Sequence, residues 1–228
     1  MKTRTRLFQA GMVAVALGGA GCASWGKQEK GAVIGAAGGA VVGGAIGHVT
    51  GSTARGAIIG AVVGGAAGAI IGGKMDRQAE ELARELPAGT QVSRVGEGIA
   101  VTFEDGILFP FDSASLKPEA RDNLDEVAQS LRDNARTDVV IVGHTDSTGR
   151  AEYNESLSQR RARAAADFLA AQGVARGRLR TEGRGESEPI ASNETDADRQ
   201  RNRRVEVAIY ASEEWREEAR KEAASASR

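Results

Sequence analysis

Apolar and polar residues follow four successive patterns along this 228-residue chain. From Gly31 to Gly73 the chain is almost wholly apolar or small, with glycine at 31, 35, 39, 43, 47 and 51, and again at 56, 60, 64, 68 and 72. At 3.6 residues per turn a four-residue repeat keeps the glycines along one slowly drifting helix face, so a second backbone can approach closely. Ser52-Thr53-Ala54-Arg55 interrupts the repeat, and Arg55 is the only formally charged residue of the segment. The pattern predicts a glycine-zipper helical hairpin over 31–73. Its arms, about 21 and 17 residues, roughly match a bilayer core. In water each interior glycine costs about 1 kcal/mol relative to alanine, so the hairpin is expected inside lipid or packed on copies of itself. The alternative, a flexible linker, fits poorly with β-branched residues set at strict spacing. His48 lies near the proposed bend.

Residues 74–90 change to an amphipathic pattern, with Met75, Leu82 and Leu86 on one side and Pro87-Ala88-Gly89 as a stop. That segment is expected to connect hairpin to domain. Over 91–210 strands and helices alternate. Ile99–Phe103 reads as a half-buried strand, Glu104-Asp105-Gly106 as a turn and Leu108–Phe111 as a second strand. Pro118 opens a helix carrying Leu124, Val127 and Leu131. Val139–Val142 is a buried strand, a helix runs from about Ala151 to Gln172 with Gly173 as its stop, and Leu179–Glu182 and Val205–Tyr210 supply the last strands. The fold class is α/β (α+β), a two-layer domain of about 120 residues, large enough for its own core. Residues 211–228 form a charged, alanine-rich tail expected to be a frayed helix.

Composition narrows the function. Lys plus Arg (30) and Asp plus Glu (31) nearly cancel, which argues against nucleic acid as a partner. Half of the 30 glycines fall between Gly31 and Gly73, so the chain is modular. One cysteine, Cys22, and two distant histidines, His48 and His144, leave little for a metal centre and none for an internal disulfide. No cofactor is expected. The N-terminus has the layout of a secretory signal: Lys2, Arg4 and Arg6, an apolar run Met12–Leu17, then small residues Gly18–Gly21 before Cys22.

Within the domain, Gly143-His144-Thr145-Asp146-Ser147-Thr148-Gly149 follows directly from a buried strand and presents Asp146 at its tip. On the helix after it, Tyr153, Leu157, Ala164 and Phe168 fall in one apolar stripe, and Arg160 and Arg161 lie about 45 to 55° from its centre. A guanidinium near an apolar face needs a carboxylate or a ligand. An Asp from the loop and an Arg from the helix together suit an α-amino-acid head group, ammonium to one and carboxylate to the other. The residues alone leave two bland alternatives open, a capping role for Asp146 and a solvated face for the arginines.

Taken together, Gly143–Gly149, Tyr153-Asn154, Leu157-Ser158, Arg161-Ala162, Phe111-Asp112-Ser113 and Asn202-Arg203-Arg204-Val205-Glu206 resemble the OmpA-like peptidoglycan-binding domain, over roughly 97–210. Behind such a domain, a glycine zipper and a signal ending in Ala20-Gly21-Cys22 resemble the YiaD type of outer-membrane lipoprotein, although Gly19 stands where that signal usually has Leu. The resemblance implies removal of residues 1–21, acylation of Cys22 with 22–30 as a lipidated linker, and, with Ala23 next, an outer-membrane address and a periplasmic C-terminal domain. Several acyl chains give the stable anchoring that one chain lacks. It implies a peptidoglycan partner, gripped through the meso-diaminopimelate of the stem peptide. Asp146 would take the ligand ammonium and Arg161, rather than Arg160, its carboxylate; Asp112, Thr148, Asn154 and Arg203 would line the same pocket. Two rival readings are an oligomeric membrane assembly or pore built through Gly31–Gly73, and a wall hydrolase. The second would need His144 in a Ser-His-Asp triad, which three residues of one short loop rarely satisfy.

Overall fold

The computed structural model describes residues 52–227. The signal, Cys22, the first glycine arm and His48 lie outside them. The second arm does not form the expected single helix. It breaks into α1 (Thr53–Gly60) and the start of α2 (Gly65–Glu85), with Gly64 and Gly65 both in the left-handed region (φ 74° and 61°). Glycine adopts that backbone without a Cβ clash. The carboxylate of Glu97 fixes the break by accepting the Val63 and Gly64 N–H groups at 2.8 and 2.7 Å. Among the described residues no helix is long and apolar enough to cross a membrane. The amphipathic stretch after Lys74 is the continuation of α2, and it packs on the domain rather than standing apart as a connector. Ile71, Met75 and Leu82 are completely buried, and Gln78 donates to the Ser130 hydroxyl at 3.0 Å.

Strand β1 (Thr90–Val95) pairs with β2 (Gly98–Glu104), followed by the single helical turn α3 (Asp105–Leu108) and by α4 (Pro118–Asp133). Then come β3 (Thr137–His144), α5 (Ala151–Ala171), β4 (Leu179–Gly183), α6 (Asp196–Asn202), β5 (Arg204–Ala211) and α7 (Glu213–Ala226). The sheet order is β1-β2-β5-β3-β4, antiparallel except for β3 and β4, which α5 connects in parallel. Two sequence expectations fail here. β1 was not foreseen, since Thr90–Val95 is only partly buried, and the strand expected over Leu108–Phe111 is instead the end of α3 and an irregular stretch. Asp105 is inside that helical turn, not in a surface turn.

The sheet buries both faces. Val139, Ile141, Val207, Ile209 and Phe103 point to the helical layer of α2, α4, α5 and α7. Val140, Val142, Ala208 and Tyr210, on the alternate positions, meet Ala54, Ile58 and Ala61 of the α1 segment. The two-layer plan therefore carries α1 as a partial third layer. Gly98 makes room for it, because a Cβ there would collide with Ile58 and with the Ile209 carbonyl. α7 is likewise part of the fold: Ser212 caps it, and Trp215 is buried between the Lys74 ammonium and the Arg136 guanidinium, 5.9 and 5.0 Å from its ring. Glycines also bring α5 down onto the sheet, since a Cβ at Gly143 would collide with the Ser158 carbonyl and one at Gly183 would lie 2.7 Å from the Gln159 nitrogen. That close approach sets the depth of Arg161.

Candidate ligand-binding site

The loop after β3 is folded by its own aspartate. Asp146 is 7% exposed, and its Oδ1 accepts the Thr148 backbone N–H at 2.8 Å, closing an Asx turn. Asn154, one turn into α5, braces the loop from below by donating to the Asp146 and Thr148 carbonyls at 3.2 and 3.1 Å and to Glu186 at 2.8 Å. The second oxygen of Asp146 pairs with Arg203 Nη1 at 2.5 Å. Burial disfavours the charged form of Asp146. The Arg203 and Thr148 hydrogen bonds outweigh it and hold the carboxyl below the usual range.

Arg161 lies deeper, at 2% exposure. Its Nε donates to the Ser113 carbonyl at 2.9 Å, its Nη2 pairs with Asp105 at 2.8 Å, and its guanidinium carbon sits 5.3 Å from the Phe109 ring centre. Arg160 faces solvent, bonded to the Ser156 hydroxyl at 2.6 Å. The choice between the two arginines is explained by the helix face. The buried stripe of α5 is centred on Leu157, Ala162, Ala165 and Leu169, so Arg161 is on it, while Tyr153 is 39% exposed.

One cavity of about 500 Å³ is lined by all six residues named from the sequence: Asp112, Asp146, Thr148, Asn154, Arg161 and Arg203. Asp112 occupies the left-handed backbone region (φ 55°) and accepts the Tyr153 hydroxyl at 2.5 Å, fixing the rim beside the exposed ring of Phe111. His144 is not in the cavity. It lies on the α1 side of the sheet, 1% exposed, with Nε2 3.7 Å from Glu206. Burial, aided by Arg204, pushes its pKa down to about 3, so it stays neutral and away from Asp146, as no triad base could be.

Asp105 also lines the cavity, unforeseen. It is 5% exposed, and burial pushes its carboxyl up to about 6 against the pull of Arg161, Arg203 and Lys117. The signal for it was present: a half-apolar helix face carrying Arg161 demands an acid, but nothing in Glu-Asp-Gly marks which one. Arg199 and Tyr153 were missed as lining residues for a similar reason, the one being in a short polar helix and the other assigned to the apolar stripe. The cavity thus holds two acid–guanidinium pairs, Asp146 with Arg203 and Asp105 with Arg161.

The OmpA family profile matches residues 108–203, and the YMGG-like Gly-zipper profile matches residues 1–76. The chain is 46% identical over 112 residues to Outer membrane protein A of Bordetella avium, covering 49% of this chain and 58% of that protein. It is 37% identical over 124 residues to the Peptidoglycan-associated lipoprotein of Brucella melitensis, covering 54% and 74%. Among solved structures, the cell wall anchor of the T6SS from Pseudomonas aeruginosa superposes with a TM-score of 0.53 at 34% identity, over 60% of this chain and 96% of that one. The Probable lipoprotein YiaD of Escherichia coli is 41% identical over 156 residues, which cover 68% of this chain and 71% of that protein. With that identity and coverage, and with both profiles matching, the chain belongs to the OmpA family, in its glycine-zipper lipoprotein form.

Proposed function

We propose that this protein binds peptidoglycan noncovalently through the meso-diaminopimelate of the stem peptide, and so ties the outer membrane to the cell wall. The observation that carries the reading is the presence of two acid–guanidinium pairs in one cavity. A zwitterion can exchange with such pairs, its ammonium taking the place of Arg203 at Asp146 and its carboxylate joining Arg161. Within each pair acid and guanidinium offset one another, so neither Asp146 nor Arg161 is a buried unpaired charge. The likeness to a cell wall anchor and to a peptidoglycan-associated lipoprotein supports the same partner. The names of its relatives support an outer-membrane, lipid-anchored placement with Cys22 acylated and the domain in the periplasm. Many anchored copies facing a repeating polymer make weak single contacts sufficient.

Binding rather than hydrolysis fits a site whose acids are engaged with guanidinium groups and whose neighbouring histidine is buried elsewhere. The rival reading, an oligomeric membrane assembly through Gly31–Gly73, loses its second arm to the domain, because α1 and the start of α2 bury their apolar residues against the sheet and helices.

The test is cosedimentation of the full-length protein with diaminopimelate-containing sacculi. Asp146→Ala and Arg161→Ala are each expected to abolish it with circular dichroism unchanged, and Arg161→Lys, which keeps a cation beside Asp105 but loses the fork, to weaken it strongly. Wild-type cosedimentation in all three variants would overturn the assignment.

A further inference from the structure

Arg161 is already partly spent inside the protein. Its Nε serves the Ser113 carbonyl and its Nη2 serves Asp105, which leaves Nη1 as the donor for a ligand carboxylate. Asp105 therefore sits where that carboxylate must arrive. Its Oδ1 is buried and, among the described residues, has no hydrogen-bond partner. A buried carboxylate oxygen without a donor is costly, and the cavity it lines is the place from which a partner can come.

The groups around Asp105 decide in which form it meets the ligand. Arg161 faces it from α5, Arg203 from the residue before β5, Lys117 from the residue before α4, and Asp146 from the loop after β3. Three cations and one other acid thus act on Asp105. A ligand carboxylate at Arg161 adds a third anion beside two that are already close, and like charges sharing one guanidinium favour protonation of the most buried. Asp105 is that group, and its carboxyl is already raised to about 6 by burial.

We propose that Asp105 is a further ligand-binding residue of this cavity, meeting the ligand carboxylate in protonated form, so that binding takes up one proton from solvent. The proton enters on the orphaned Oδ1, whose O–H then donates to the ligand carboxylate while Oδ2 keeps its bond from Arg161. The acid thereby acts as a specificity device: it accepts a carboxylate and rejects the uncharged amide of the same shape, which offers no anion to hold the proton. This inference rests on the proposed diaminopimelate reading of the site.

The experiment is calorimetric titration of the full-length protein with a diaminopimelate-containing muropeptide from pH 8 to pH 6, repeated at pH 7 in two buffers of different ionisation enthalpy. Expected is a Kd that tightens roughly fiftyfold from pH 8 to pH 6, with net proton uptake at pH 7. Asp105→Asn keeps the shape and supplies a fixed N–H donor, so it should bind at pH 8 as tightly as the wild type does at pH 6, with no pH dependence. A wild-type Kd that is flat over this range, or a variant that keeps the wild-type slope, overturns the proposal. So does an Asp105→Asn protein that binds more weakly at every pH, the mark of an acid needed as an anion. Flat binding that still requires Asp146 and Arg161 sinks only the proton step, whereas no binding by the wild type sinks the ligand reading with it.

Discussion

Arg203 and Arg204 are adjacent in sequence and lead opposite lives. Arg204 is 1% exposed on the α1 side of the sheet, where its guanidinium holds Glu206 at 2.7 Å and the Asn202 and Glu188 carbonyls at 3.2 and 3.1 Å. Glu206 in turn accepts the Ser52 hydroxyl at 2.7 Å. Thr53 binds Glu188 through its N–H and its hydroxyl at 3.0 and 2.6 Å, so the start of α1 is pinned to the same cluster. Arg203 opens to the cavity, its side chain about one-third exposed and bonded to Asp146. Arg203 is the residue that ends α6 and Arg204 the first of β5, and the extended backbone between them sends the two side chains different ways. The closed cluster has its guanidinium spent on protein acceptors and serves the fold. The open one lines a cavity, the site proposed for a ligand.

The largest effect expected from breaking this contrast is at the closed cluster. Arg204→Ala leaves Glu206 buried beside neutral His144 and should cost about 3 to 5 kcal/mol, read as a lower urea midpoint or outright failure to fold. Arg203→Ala leaves a more accessible Asp146 and should change stability by about 1 kcal/mol or less while weakening cosedimentation with sacculi. If Arg203→Ala were the more destabilising of the two, the division between fold and site would be wrong.

Next is the α1 strap that seals the closed side. Ile58 is 1% exposed against Gly98 and the β5 backbone, so Ile58→Ala should cost about 2 to 4 kcal/mol in urea unfolding of the full-length protein. An unchanged midpoint would mean that α1 leaves the sheet in solution and that the zipper segment is free to act elsewhere.

The two clusters should also titrate in opposite senses. His144 has a folded pKa of about 3, below its unfolded value near 6.5. Its contribution to stability is therefore complete above about 6.5 and is lost as pH falls toward 3. Asp105 has a folded pKa of about 6, above its unfolded 3.8, so its contribution is complete below 3.8 and is lost as pH rises through 6. Asp105→Asn should accordingly raise stability at pH 7 by roughly 1 to 2 kcal/mol and by little at pH 4. His144→Leu should flatten the acid limb and leave the neutral one alone. Urea midpoints at pH 4, 5.5 and 7 test both, and equal gains for Asp105→Asn at pH 4 and pH 7 would remove the strain assigned to the cavity.

The open cluster was more legible in the sequence than the closed one. Asp146 and Arg161 could be found because each sits at a fixed offset from a strong local pattern, the end of a buried strand for one and a helical stripe for the other. The helix from Pro118 and the strands at Val139, Leu179 and Val205 were read for the same reason. Asp105 could not be found, because its partner is 56 positions away in sequence and its own neighbours look like a turn. The α1 segment is ambiguous in the sequence on stronger grounds. Alternating glycine and β-branched residues suit a membrane helix and a close-packed strap over a sheet equally well, since both need small faces. Only the pairing of Gly98 with Ile58, and of Glu97 with the N–H groups at the helix break, separates the two, and those contacts are long-range.

The smallest effect expected lies at the rim, where backbone and side chain can be told apart. Asp146 Oδ1 is held by the Thr148 N–H, with a lesser contribution from the Thr148 hydroxyl to keeping the carboxyl charged. Thr148→Ala removes only the hydroxyl and should weaken muropeptide binding by about twofold, a few tenths of a kcal/mol. Thr148→Pro deletes the donor that closes the Asx turn, freeing Asp146 to swing toward Arg203, and should weaken binding at least about tenfold with the core intact. Equal losses in the two variants would mean that the hydroxyl, not the turn, presents Asp146 to the ligand, and the rim would then belong with the side-chain chemistry of the cavity rather than with its scaffold.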